Sequence, residues 1–184
     1  MSLYHYFRSL ILPLNEIDRL LPKRGRLVDL GCDGGVIAQK LIAVKTRFVI
    51  GVDKDAKRFP RSSAKNLKFV HADILKFDLN YFEGAVISDV LHHLKYNDQK
   101  KLLNKIFKAL KQRGVLVIKE IDTGEFIRAR LSRLWDFIFY PNDKIYYWQA
   151  KNLKRFLENL GFKVRIIRPI RLFPGSTTLF ICKK

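Results

Sequence analysis

Cysteine is scarce: Cys32 and Cys182 are the only two in 184 residues, far apart and outside any Cys-x-x-Cys or Cys/His ligand spacing. A disulfide framework is excluded, no metal site is expected, and a reducing cytoplasm is the default location. Acidic residues are also few, 17 against 36 lysines and arginines, which leaves a formal charge of +19. Long apolar runs are missing as well. The patch in MSLYHYFRSLILPLNEIDRLL is interrupted by Pro13, Asn15, Glu16 and Asp18, well short of a signal peptide or transmembrane segment. It reads as an N-terminal helix over residues 1–22 packed on the rest. Without repeats, low-complexity tracts or linkers, residues 1–184 read as a single domain with enough chain to bury a core.

What is present alternates between two periods. Arg26–Leu30 is a short apolar run that ends at Gly31, and Gly34, Gly35 and a helical pattern from Val36 to Val44 follow. Phe48–Val52 and Leu67–Val70 are further apolar runs, closed by Asp53 and by Ala72-Asp73. Ala85–Ser88 and Val115–Ile118 read as strands buried on both faces. Between them the spacing predicts an amphipathic helix capped by Asn97 or Asp98. Its inward stripe is Leu102, Leu103, Ile106, Phe107 and Leu110, with Gly114 past its end. A last helix carries Leu153, Phe156, Leu157 and Leu160, and Phe162–Ile170 and Thr177–Ile181 read as strands joined through Pro174-Gly175. Strands alternating with helices and closing on an antiparallel hairpin predict a three-layer α/β sheet.

In such a sheet, ligands sit beyond the carboxyl ends of the strands. Gly31, Gly34 and Gly35 let a backbone turn sharply and admit a ligand close to main-chain N–H groups, although a bare strand-to-helix turn needs glycine too. Asp53 follows Gly31 by 22 residues, about the offset that sets a carboxylate on a ribose. Asp73 stands at the next strand end, where an adenine amine can donate to it. Each acid alone is as readily a loop cap, but three signals at successive strand ends point to an adenosine ligand. The G-x-G-x-x-G order of nicotinamide-binding proteins is lacking, as is the Gly-Lys-Ser/Thr of a P-loop.

VDLGCDGG, GVDKD, HADI, ISDVLHHL and GVLVIKEID together resemble the successive motifs of class I S-adenosylmethionine-dependent methyltransferases, from about Leu27 to the C-terminus. The resemblance implies a Rossmann-like, seven-stranded, mostly parallel sheet with the last strand antiparallel. It implies S-adenosyl-L-methionine as cofactor and S-adenosyl-L-homocysteine as product. It places Asp29 and Gly31 at the methionine end, with Cys32, Asp33 and Gly34 in the same turn. Asp53, with Lys54 beside it, falls on the ribose, Asp73 and Ile74 border the adenine, and Ser88 lies by the methyl. The family usually carries glycine where this chain has Asp33, so the loop must accommodate a side chain in a tight place, with Gly34 to compensate. His92 and His93 follow the fourth strand, near the methyl. One of them is the candidate general base; otherwise one packs and the other is solvated.

The acceptor is less legible. No Asn-Pro-Pro-Tyr, Asp-Pro-Pro-Tyr or Pro-Cys follows the fourth strand. Residues 122–148 form an aromatic, basic segment where the family usually covers its substrate, and Arg128, Trp135, Tyr146 and Tyr147 are the candidate lid residues. Most of its aromatics also suit a helix burying Ile127, Leu131 and Leu134. A small-molecule or lipid-precursor acceptor is the first reading, and an RNA acceptor held by the basic surface is the alternative. That surface also suits peripheral contact with an anionic membrane, or simple solvation. A cofactor-binding regulator without catalysis is the third reading.

Overall fold

The computed structural model describes residues 12–62, 64–122, 144–169 and 177–184. Seven strands form one sheet: β1 (Gly25–Leu30), β2 (Arg47–Asp53), β3 (Leu67–His71), β4 (Phe82–Ser88), β5 (Leu110–Glu120), β6 (Lys163–Ile167) and β7 (Thr178–Lys183). Their order is β3-β2-β1-β4-β5-β7-β6. All neighbours pair in parallel except β7, which is antiparallel to both β5 and β6. The chain therefore starts in the middle, winds to one edge, returns and winds to the other. That reversal lies between β1 and β4, where Asp29 pairs with Gly51 on one side and Val86 on the other. A crevice opens at such a switch point.

Two cores follow from the period of two along each strand. Val28, Leu30, Ala85, Ile87, Leu116, Ile118 and Phe180 face one layer, formed by α3 (Tyr96–Ala109) and α4 (Ala150–Asn159). Leu27, Val49, Val86, Val115, Val117 and Ile181 face the other, formed by α1 (Leu14–Leu20) and α2 (Val36–Leu41). The three-layer α/β fold read from the motifs is the fold found.

Several boundaries move. Helical residues near the start are Leu14–Leu20, and residues 1–11 of the expected helix lie outside those described. Neither Asn97 nor Asp98 caps α3; Lys95 occupies that position without a side-chain cap, and Asp98 sits in the first turn, where its charge suits the helix dipole. Leu110 is not the end of the helical stripe. It opens β5, pairs with Phe82, and a bulge there carries the strand past Gly114. Pro174-Gly175 of the expected hairpin lies outside the described residues.

One buried charge joins the layers at the amino end of β2. Arg47 is 1% exposed. Its guanidinium is shared among the Asp18 carboxylate and the carbonyls of Asp18, Leu21, Pro22 and Leu41. A buried cation so fully hydrogen-bonded fixes α1 and α2 to the sheet.

Candidate functional site

The turn after β1 depends on two left-handed glycines. Gly31 has φ +74, and a Cβ built there would lie 2.3 Å from Val90 Cγ2; Gly35 has φ +71, and a Cβ would meet the Phe69 ring at 2.5 Å. Between them Asp33 also takes a left-handed φ of +46, whereas Gly34 does not. This explains why the family favours glycine at Asp33, and it means that Gly34 makes no conformational compensation. The strain at Asp33 is met by contacts: its N–H donates to Asp53 Oδ2 at 2.8 Å, and its carboxylate pairs with Arg58 at 3.0 Å.

Beneath the turn, Asp29 is 1% exposed and accepts from the Ala38 N–H at 3.1 Å, which ties β1 to the first turn of α2. Asp53 Oδ1 accepts from the Asp55 N–H at 2.9 Å, so its two oxygens hold the turn from opposite sides. Each oxygen keeps a further lone pair for a hydroxyl donor. At the end of β3, Asp73 Oδ1 accepts from the Leu75 N–H at 2.9 Å. Cys32 is buried, and that burial, followed by the charges of Asp29, Asp53 and Asp33, pushes its thiol pKa up.

These pieces enclose a cleft of about 250 Å³ at the carboxyl ends of β1 to β4. Of the expected residues, Gly31, Asp33, Asp53, Lys54, Asp73, Ile74 and His93 line it, joined by Asp55, Arg58, Asp89, Val90 and Leu94. Asp29, Cys32, Gly34, Ser88 and His92 do not. Ser88 is buried below Asp89 and donates its hydroxyl to that carboxylate at 3.3 Å. Asp89 is left-handed, φ +56, and its other oxygen takes the buried Lys119 ammonium. Five aspartates thus line one cavity of a chain with only 17 acids.

The two histidines separate in role. Leu91–His93 forms a single 3₁₀ turn at the cleft rim. His92 points inward, is 2% exposed, and sets Nδ1 2.6 Å from Glu120 Oε2, while Glu120 Oε1 accepts from the Leu91 N–H at 2.9 Å. His93 is the imidazole on the cleft wall. The Tyr147 ring stacks on His92 with centroids 5.1 Å apart, and the Tyr146 N–H donates to the His92 carbonyl at 2.7 Å. Fully buried Gln99 secures the same segment, donating to the Tyr146 carbonyl and accepting from the Trp148 indole N–H. A wider groove of about 810 Å³ runs outside this contact along Tyr96, Lys100, Tyr147 and Trp148. Arg128 and Trp135 lie outside the described residues.

Glu120, Asp89, Arg58 and Gln99 went unread in the sequence. Glu120 and Asp89 nevertheless carry the signal that marked Asp53, a carboxylate closing an apolar strand. Gln99, one polar residue on a helix, offered none. Among the described residues no group of histidines, cysteines and carboxylates is placed to hold a metal, and no helix is long and apolar enough to cross a membrane.

A family profile described as a methyltransferase domain matches residues 3–166. The chain belongs to that family. Its fold is that of the class I S-adenosylmethionine-dependent methyltransferases. A SAM-dependent methyltransferase from Archaeoglobus fulgidus superposes with a TM-score of 0.75 at 19% identity, covering 100% of both chains. Human N-acetylserotonin methyltransferase in complex with SAM gives a TM-score of 0.71 at 17% identity, covering 96% of this methyltransferase domain and 51% of that chain. Among curated relatives, the carboxy-S-adenosyl-L-methionine synthase of Nautilia profundicola is 25% identical over 150 residues, 78% of this chain and 63% of that protein. The domain thus spans less than two thirds of that relative's length.

Proposed function

We propose that this domain transfers the methyl group of S-adenosyl-L-methionine to a small-molecule or lipid-precursor acceptor. The observation that carries the cofactor half is the cleft at the switch point. It is lined by Asp33, Asp53, Asp55, Asp73 and Asp89 against Lys54 and Arg58, with Lys119 paired to Asp89 behind the wall, on a chain of +19. Such a carboxylate excess suits a ligand that carries a sulfonium and an ammonium. When bound, the sulfonium supplies an already electrophilic methyl. The residues of the chain then have three tasks: Asp53 takes the ribose hydroxyls, Ile74 and Asp73 border the adenine, and the Gly31 turn admits the methionine end. His93 is the base that removes a proton from an oxygen or nitrogen acceptor, and His92 with Glu120 holds the turn that presents it.

The acceptor half rests on Tyr146 and Tyr147, which the structure docks against the histidine turn beside an aromatic groove. An RNA acceptor remains the alternative. A different reading follows from the curated relative, whose name is that of a synthase of carboxy-S-adenosyl-L-methionine. In that reading the cofactor itself is the product, and Lys54 on the cleft wall, beside the Arg58–Asp33 pair, is the cation that would meet an added carboxylate.

The test is transfer of radiolabelled methyl from S-adenosyl-L-methionine into a fractionated cell extract, with the nucleoside product weighed by mass spectrometry. Organic-soluble label with S-adenosyl-L-homocysteine as by-product is expected. RNase-sensitive label would replace the acceptor class, and a cofactor gaining a carboxylate would replace the reaction.

A further inference from the structure

Acids gather at the carboxyl end of the sheet, where Lys54, Arg58 and Lys119 accompany them, while exposed bases edge the amino end. Asp29, Asp53 and Asp73 mark the carboxyl ends, with Asp89, Glu120 and Asp122 after β4 and at the end of β5. At the amino ends of the parallel strands, and at the carboxyl end of antiparallel β7, the exposed charged residues are mostly positive. Arg24 and Arg26 lie at β1, Lys111 and Arg113 at β5, Lys163 opens β6 and Lys183 closes β7. Hydrogen bonds, an ion pair and strand pairing link neighbouring parts of this rim. The Arg26 N–H donates to Glu83 at 2.6 Å, Glu83 also takes Lys111, the Arg113 N–H donates to the Lys184 carbonyl at 3.1 Å, and Lys163 pairs in register with Lys183. Lys45 and Lys65 extend it to β2 and β3. The opposing acids include Asp18, Glu83 and Glu158, each already ion-paired, and Asp78.

We propose that this amino-edge rim is a docking surface for the phosphodiester backbone of single-stranded RNA, on the end of the molecule opposite the cofactor cleft. Charge complementarity is the first argument: like charges set side by side, as at Lys163 and Lys183, destabilise a sheet unless an anion relieves them. Length is the second. Seven strands spaced about 4.8 Å apart give a rim roughly 29 Å long, enough for about four or five phosphates of an extended single strand. Shape is the third, because a twist of about 20° per strand turns the rim through more than about 100° from edge to edge. A flat anionic membrane meets only part of such a line, whereas a flexible strand follows it. Tyr81, 70% exposed where the chain enters β4, adds a ring for a base to stack on. Bound there, RNA is tethered away from the methyl, so the rim recruits and does not present the acceptor. This inference is independent of the acceptor class proposed above.

The experiment titrates the full chain into a fluorescein-labelled, 20-nucleotide single-stranded RNA and follows anisotropy over a salt series. Two variants each lose four exposed positive charges: Arg24→Gln/Arg26→Gln/Arg113→Gln/Lys183→Gln on the rim, and Lys57→Gln/Lys76→Gln/Lys95→Gln/Lys151→Gln elsewhere. The rim variant is expected to bind at least about tenfold more weakly at 0.1 M salt, with a log–log salt slope shallower by about three, while the second variant keeps most of both. Equal weakening of the two variants would overturn the proposal in favour of a diffuse charge. Capture of phosphatidylserine vesicles by the rim without RNA binding would overturn it in favour of a membrane. Melting by circular dichroism checks the fold; should the quadruple variant melt early, the pairs Arg24→Gln/Arg26→Gln and Arg113→Gln/Lys183→Gln are each expected to remove about half of the slope change.

Discussion

Asp53 does two jobs with one carboxylate, since it closes the turn through the Asp33 and Asp55 amides and keeps lone pairs toward the cleft. Asp53→Ala is expected to weaken S-adenosyl-L-methionine binding by about 10- to 100-fold in calorimetry, the range for hydrogen bonds to a charged group. Unchanged affinity would remove the ribose assignment. Gly31 is limited by space as well as by conformation, because a side chain there runs into Val90. Gly31→Ala is expected to cost about 1–3 kcal/mol in chemical denaturation, and trimming Val90 to alanine in the same chain should recover the steric part but not the φ part. Both positions were legible because chemistry narrows the choice at each to one or two residue types. Ser88 was placed by analogy alone. The structure puts its hydroxyl under Asp89, a detail of packing depth that a linear pattern does not record.

The 3₁₀ turn Leu91–His93 is a small element with large leverage. One residue of it is buried against Glu120 and the next lines the cleft, so the turn converts a core contact into a position for His93. His93→Ala is expected to lower kcat by about 10²- to 10⁴-fold while cofactor affinity stays within a factor of three, the pattern of a lost general base. Glu120→Ala is expected to destabilise the domain by about 3 kcal/mol, because it strands the Leu91 amide and the buried His92 ring. His92 and His93 are indistinguishable by pattern, since adjacent residues on an irregular turn share every compositional signal. The strand–helix order, by contrast, was readable in nearly every element, because burial on both faces leaves short but unbroken apolar runs. The exceptions have one physical origin. The end of α3 and the start of β5 share the residues around Leu110, and both states bury that side chain equally well.

At the level of the whole molecule, Arg47 and Asp18 decide how the sheet keeps its helices on one side. Burial pushes the Asp18 carboxyl up, but the hydrogen bond and charge of Arg47, with help from Lys23, win and hold it below its ordinary 3.8. A carboxyl depressed in the folded chain adds stability that is present above pH 3.8 and disappears as pH falls through the folded pKa. Asp18→Asn is therefore expected to be less stable than the parent at neutral pH and to lose less on acidification below about pH 4, as followed by denaturant midpoints across pH. Neither residue was read from the sequence. An arginine opening a strand looks like a solvated charge until the carbonyls of α1 and α2 are seen to surround it.

The two thiols offer something the chemistry of the cleft does not use. Cys32 lies directly under the nucleotide turn and Cys182 near the carboxyl end of β7, both sealed from solvent and both held as unreactive thiols. An aromatic disulfide reagent can reach either one only when the surrounding structure opens. Cys32 then clocks the breathing of one loop, and Cys182 clocks the opening of the whole sheet. Occupancy of the cleft is expected to slow the first clock far more than the second, which makes the unaltered protein its own gauge of ligand entry.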